Sequence, residues 1–333
     1  MMRKGRFLTR MPHAAAWPRA SRVTVRLKTL FMAAVLGALA AARVDAARAA
    51  GNEATEAEAA AAPRRPLLDR GRLLATTGAT SLGGAGGGGL VPWALITGHG
   101  SRDSAGVNVH GTGVRLPDFS LWATGIGVGI ADRLELSYQH QWFDTGRAGG
   151  RLGLGRGYTF EQDVFGAKLR LFGDAVADQD RWWPQLSVGV QHKRSADRDV
   201  VRAVGARDAS GTDFYVAATK LFLGEGLLVN GTVRFTRANQ FGLLGHGGDR
   251  GDGYRARFEG SAALLLSRHF AVGGEFRTKP DNLRFARENG AFDLFGAWFV
   301  NQHLSVVLAY VDVGKVAQQG RQNGVYLSVQ AGF

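Results

Sequence analysis

Cysteine is absent from the 333-residue sequence. That excludes disulfides, thiolate nucleophiles and cysteine-based metal sites. Proline is scarce and methionine scarcer, at 8 and 4 residues. Long apolar runs are also lacking. The clearest, Leu30 to Ala42, is shorter than the roughly 20 residues a membrane-spanning helix needs. A helical membrane protein is therefore excluded. The mature part of the chain also lacks a strong excess of charge. Lys and Arg outnumber Asp and Glu by 41 to 28, a net of +13, but ten of the basic residues and one Asp fall within residues 1–49. About +4 remains beyond them, which is poor support for nucleic-acid binding, and no zinc-finger spacing is present.

Residues 1–49 have the three parts of a secretory signal: Arg22, Arg26 and Lys28, then the apolar run, then the small-residue tripeptides Val44-Asp45-Ala46 and Ala47-Arg48-Ala49. Residues 50–70 are rich in Ala and Glu, contain Pro63 and Pro66, and have no apolar periodicity, so they read as a flexible periplasmic leader. From 71 to 333 the chain is Gly-rich and punctuated by turns. Its segments alternate apolar and polar residues with the period of two that belongs to strands. In 134–143, Leu134, Leu136, Tyr138, His140 and Trp142 alternate with Glu135, Ser137, Gln139 and Gln141. In 254–266, Tyr254, Ala256, Phe258, Ala262 and Leu264 alternate with Arg255, Arg257, Glu259 and Ser261.

The expected fold is all-β: a transmembrane antiparallel up-and-down barrel of about 14 strands, with 12 as the alternative. Its first strands are expected near 71–80 and 91–101 and its last at 324–333. From the fourth expected strand onward, short turns (131–133, 224–226, 267–269, 301–303) alternate with long polar loops (144–157, 195–211, 238–253, 280–290, 313–323), as periplasmic turns alternate with outer loops in bacterial barrels. The 173–184 connection breaks the rule, being long on the periplasmic side. In the last strand Val325, Leu327, Val329 and Phe333 share one face, which is expected to serve as the assembly signal read by the barrel-assembly machinery. That strand is expected to close the ring against 71–80. The implied location is the bacterial outer membrane.

Several stretches also resemble a known family. They are Gly88-Gly89-Leu90-Val91-Pro92-Trp93-Ala94-Leu95-Ile96, Gly157 to Asp163, Lys168 to Asp174, Leu228 to Thr232, Asn239 to Gly245 with Gly248-Asp249-Arg250, and Lys279 to Leu283. They are similar to an uncharacterised Gram-negative group, domain of unknown function 3034, over roughly 74–333. The resemblance implies an exported outer-membrane protein and supplies no substrate, activity or site residue.

Chemistry-bearing patterns are weak. The Gly-rich 83–89 lacks the Gly-Lys-Ser/Thr ending of a phosphate loop and reads as a flexible connection. His140 could act as the base of a lipid-modifying enzyme, but Ser137 falls on the opposite strand face, so an interfacial histidine is the reading kept. Asp174, Asp178 and Asp180 read as a solvated loop rather than a cation site. No catalytic residue, metal or cofactor is expected. The better clue is the inner face. Lys168, Arg170, Lys193, Lys220, Arg234, Arg255, Arg257 and Arg277, with Glu135, Glu259 and Glu275, are the candidate lumen-lining charges. An open lumen lined this way would make a non-enzymatic channel for small, anionic solutes. A lumen filled by ion pairs would instead make a structural or adhesive barrel. The expected partners are outer-membrane lipids, the assembly machinery and small solutes.

Overall fold

The computed structural model describes residues 78–99 and 104–333. The signal segment 1–49, the leader 50–70 and most of the expected first strand lie outside the described residues. The wall consists of β1 (Ala105–Arg115), β2 (Ser120–Ile130), β3 (Leu134–Asp144), β4 (Thr159–Phe172), β5 (Gln185–Ser195) and β6 (Ser210–Phe222). It continues with β7 (Leu227–Thr236), β8 (Arg255–Ser267), β9 (Phe270–Arg277), β10 (Ala291–Phe299), β11 (Leu304–Lys315) and β12 (Arg321–Gly332). Each strand pairs antiparallel with its neighbours in sequence, and β12 returns to β1 to close the barrel. Two short helices, α1 (Gly146–Arg151) and α2 (Arg198–Ala203), lie in the β3–β4 and β5–β6 loops.

The wall therefore has twelve strands, the lower of the two expected counts. The expected strands near 71–80 and 91–101 are not in it. Among the described residues, 78–99 makes only two isolated bridges, Thr80 with Gly86 and Gly87 with Pro92. The reason is visible in Leu90 to Ile96, which is apolar throughout and buried on both sides except at Trp93. A wall strand in a membrane must alternate between lipid and lumen. Pro92 also has no backbone N–H to give to a ladder. The closing seam runs instead between Asn108–Arg115 and Val325–Gly332.

Lipid-facing and lumen-facing positions alternate along every strand. Leu136, Tyr138, Phe165, Leu169, Phe214, Val216, Phe258, Leu264, Leu294, Trp298, Leu308 and Leu327 are exposed outside. Glu135, Gln139, Lys168, Asp213, Arg234, Glu259, Glu275 and Gln330 are buried inside. This is the inverse of a soluble protein, and in hydrocarbon it is the favourable arrangement, because a closed ring leaves no backbone group unpaired. Among the described residues, the wall's backbone is joined on one side by the tight turns and on the other by the loops carrying α1 and α2. The irregular 173–184 connection lies against the end of β6, where Leu221 N–H donates to Ala175 O and Gln179 Nε2 donates to Leu221 O.

Phe333 extends the closing seam by a reciprocal pair of backbone bonds with Val107, at 2.8 and 2.9 Å, and its ring stacks on His303. Deleting Phe333 removes both bonds at the point of closure. The expected result is a several-fold loss of the heat-modifiable, folded band in outer-membrane fractions, whereas unchanged insertion would contradict a seam role for this residue.

Candidate functional site

The lumen is filled by the chain's own segment 78–99, which forms a plug. Its ends lie toward the periplasmic mouth, with Gly78 O accepting from Ser305 Oγ and Thr97 O close to Gly129. Its Gly-rich bend rises to mid-barrel. Some of its polar backbone groups bond within the segment, and many others meet a side chain from the wall. Lys168 donates to the carbonyls of Gly86, Trp93 and Leu95 at 3.0, 3.1 and 2.6 Å, and pairs with Glu135 at 2.9 Å. Glu135 in turn accepts from the N–H groups of Gly86 and Thr97 at 3.0 and 2.8 Å. Glu275 accepts from Leu90 N, Val91 N, Trp93 Nε1 and Ser261 Oγ. Gln139 and Gln141 donate to Leu82 O, Gln185 and Ser187 to Ala94 O, Gln191 to Gly83 O, and Arg277 to Leu90 O. Glycine is required where the bend meets the wall most closely. A Cβ on Gly88 would collide with the Glu275 carboxylate, and one on Gly86 would lie 2.9 Å from Glu135 Oε2.

Beside the plug runs a continuous charge network across β5 to β9. Asp213 takes Lys193 at 2.7 Å and Arg234 at 3.5 Å; Glu259 takes Arg234 at 2.6 Å and Arg277 at 3.0 Å. All five side chains are buried. Charges this dry are tolerable only when paired, and removing one partner of such a pair costs about 3–5 kcal/mol.

The remaining candidate charges separate from this set. Arg170 is buried at the periplasmic end, bonded to Asp132, to Asp174 at 3.0 Å and to Gly173 O. It clamps two turns together. Lys220 is a correction. It stands on the opposite strand face from Asp213, Tyr215 and Thr219, and is capped by the carbonyls of Asp178 and Arg181 in the 173–184 connection. Arg255 is exposed at the outer end of β8, and Arg257 is half-buried below it. Lys168, Lys193, Arg234 and Arg277 are thus neutralised by partners, and the free basic ring that an anion-selective pore requires is missing from the described lumen.

The other patterns resolve as structure. His140 Nδ1 meets Asp163 at 2.7 Å, and its Nε2 lies 3.8 Å from Glu161, both on the lipid-facing side. Both ring nitrogens face carboxylates, so neither is placed to activate a hydroxyl. Asp174 spends its carboxylate on Arg170 and on the N–H groups of Val176 and Ala177.

Between the plug and the outer loops lies a chamber with about 70 Å³ of room for the centres of water-sized molecules. Leu82 and Leu90 of the plug form its floor. Val114, Leu121, Phe143, Phe160, Val311, Val313 and Tyr326 form its wall. Leu152, Leu154, Val200, Val204, Phe241, Leu243, Leu244, Phe285 and Val316 come from the loops. Gln141, Thr145 and Gln240 are the polar members of the lining apart from the Tyr326 hydroxyl. The chamber was missed from sequence because its residues are scattered over six strands and all the long outer loops. A usable signal existed: Leu243-Leu244 and Val200-Val201 are apolar pairs inside segments that read as solvated loops.

The family model described as "Protein of unknown function (DUF3034)" matches residues 76–330. The chain belongs to this family. The match takes in the plug, the first eleven strands and most of β12, and the family-like stretches 88–96 and 239–245 are the plug's upper leg and a chamber-lining loop. No curated protein matches the chain. Solved structures similar in architecture include the KdgM porin, at 10% identity with TM-score 0.45, covering 68% of this chain and 99% of that one. The NanC porin follows at 12% identity, TM-score 0.44, and 68% and 98% coverage. Outer membrane phospholipase A from Escherichia coli has 9% identity, TM-score 0.37, and 68% and 92% coverage. At this distance the likeness carries no function across. The apolar exterior of a closed barrel places this family member in the bacterial outer membrane.

One chamber loop carries a pH dependence. His246, between β7 and β8, is fully buried and neither ring nitrogen has a partner among the described residues. Burial pushes its pKa down to about 4. An opened loop would regain the ordinary value near 6.5 and bind the proton more readily. The closed loop is therefore most stable above about pH 6.5 and loses up to about 3 kcal/mol as the pH falls toward 4. Hydrogen exchange across 238–248, corrected for its intrinsic pH dependence, should accelerate through that window, and His246→Gln should abolish the trend.

Proposed function

We propose that this barrel admits a largely apolar small molecule from outside into the chamber, and that onward passage to the periplasm requires the 78–99 plug to shift. The observation that carries the reading is the chamber floor. Leu82 and Leu90 face an apolar space while their own backbone groups are held by Gln139, Gln141, Glu275 and Arg277. Binding sites for apolar solutes are concave, mostly apolar and few per protein. An apolar cavity at a lumen's outer end, with the 78–99 segment between it and the periplasm, has the layout of a gated uptake route. A purely structural barrel is the competing reading, supported by the density of buried ion pairs around the plug, but it leaves an apolar chamber without a role.

The reading is tested in two arms. Cells lacking the protein should take up a radiolabelled arene such as naphthalene several-fold more slowly than cells carrying it, and equal rates would overturn uptake. In planar bilayers the wild-type barrel should be nearly silent to chloride, whereas Gly88→Val, which forces a side chain into Glu275, should open stepwise conductance. A fully conducting wild type would show that the plug does not close the lumen.

A further inference from the structure

The chamber's chemistry specifies its ligand more narrowly than apolarity does. The three polar side chains in the lining are already committed. Gln141 Nε2 donates to Leu82 O while its Oε1 accepts from Gln162; Thr145 Oγ1 donates to Tyr158 O; Gln240 Nε2 donates to Lys315 O. The Tyr326 hydroxyl is engaged with Ser328 and Thr112. The lining therefore offers an incoming carboxylate, sulfonate or phosphate no cation, and only the second amide N–H of Gln141 and of Gln240 as side-chain donors.

Two cations do lie close to the chamber, and neither lines it. Arg277 and Lys279 sit over the ring of Phe241, at 4.8 and 4.9 Å from its centroid. Phe241 itself lines the chamber. Its ring is therefore a partition between an apolar space and two positive charges. The cations are held behind it by Glu259, at 3.0 Å from Arg277, and by Glu288 and Val313 O, at 3.5 and 2.8 Å from Lys279.

The backbone is strained to put the ring there. Gln240 and Phe241 have φ of 46° and 62°, a left-handed conformation that is unfavourable for a side chain with a Cβ. The surroundings enforce it. Glu288 Oε1 accepts from Gln240 N–H at 2.8 Å, and Asn239 Nδ2 donates to Leu244 O and Gly247 O. Glu288 thus fixes both the turn that presents Phe241 and the lysine that Phe241 covers.

We infer that the chamber takes an uncharged molecule built of rings or short hydrocarbon and rejects its anionic counterparts, and that Phe241 sets this choice by screening Arg277 and Lys279. This rests on the chamber being a ligand site, as proposed above, and adds the charge state of the ligand and the residue that selects it. Moving an anion into the chamber would strip its hydration and return no accessible cation and at most an amide N–H. Removing the ring would supply the cation.

Two fluorescent probes that share a ring framework isolate the charge: neutral 1-N-phenylnaphthylamine and 8-anilinonaphthalene-1-sulfonate. Binding is read by energy transfer from the protein's tryptophans in nanodiscs, with empty nanodiscs subtracted and heat-modifiable mobility confirming a folded barrel. Wild type should bind the neutral probe saturably and the sulfonate at least tenfold more weakly. Phe241→Ala should tighten the sulfonate several-fold, while Phe241→Leu, which keeps an apolar screen, should preserve the wild-type preference. If wild type binds both probes equally, or Phe241→Ala leaves the sulfonate unchanged, the inference fails while the chamber reading stands. If wild type binds neither saturably, the chamber reading itself falls.

Discussion

Lys168 and Glu135 form an ion pair in a barrel that has expelled water from around it, and the pair is stable there because it is not left to itself. Between them they engage the carbonyls of Gly86, Trp93 and Leu95 and the N–H groups of Gly86 and Thr97. Each partner needs the plug to complete its hydrogen bonding, and the plug needs them, since a strand-less segment in a dry lumen has no ladder to satisfy its backbone. Bonds of this kind to charged groups contribute about 1.5–3 kcal/mol each, and leaving one buried charge unpaired costs more. The lumen charges are thus placed to hold a piece of protein rather than to attract an ion.

Closure of the lower lumen creates the chamber above it. A twelve-strand ring is wide enough to leave space that wall side chains alone do not fill. The plug takes the lower part, and its top presents Leu82 and Leu90 upward. The long loops cover the rest by turning apolar residues inward, including Val200 of α2 and the Phe241–Leu244 turn. The residues that form the floor of the chamber are the ones whose backbones are clamped to the wall. Any ligand that displaces that floor must work against Glu275, Arg277, Gln139 and Gln141, and this links occupancy above to closure below.

The wall was legible from the sequence wherever a strand meets lipid on one face and polar groups on the other. The Leu134–Trp142 alternation is β3, and the Arg255–Ser261 alternation against Phe258 and Leu264 is β8. The loop asymmetry held for the outer β3–β4, β5–β6, β7–β8 and β9–β10 loops, whereas the expected long loop 313–323 shrinks to 316–320 because β11 and β12 extend into it. Leu90 to Ile96 was misleading. Its β-branched and aromatic residues suit a strand, and only its failure to alternate shows that it touches protein on all sides. Likewise Lys193, Arg234 and Arg277 could be assigned to the inner face by parity, whereas their neutralisation by Asp213 and Glu259 depends on the register between neighbouring strands. Parity reports a direction and not a partner. The chamber depends on how six separate connections fold inward, which no local pattern encodes.

The most direct measurement of the central claim, that the segment 78–99 lies inside the ring against its wall, uses the absence of native cysteine. A Cβ on Gly127 of β2 would lie 3.7 Å from the Cβ of Thr97 in the plug, close to the mean spacing of about 3.8 Å in disulfides. Thr97→Cys combined with Gly127→Cys should cross-link spontaneously in the oxidising envelope, giving a reductant-sensitive mobility shift and no free thiol. Two thiols that both remain reactive toward a maleimide in the folded, membrane-inserted protein would contradict a lumenal plug.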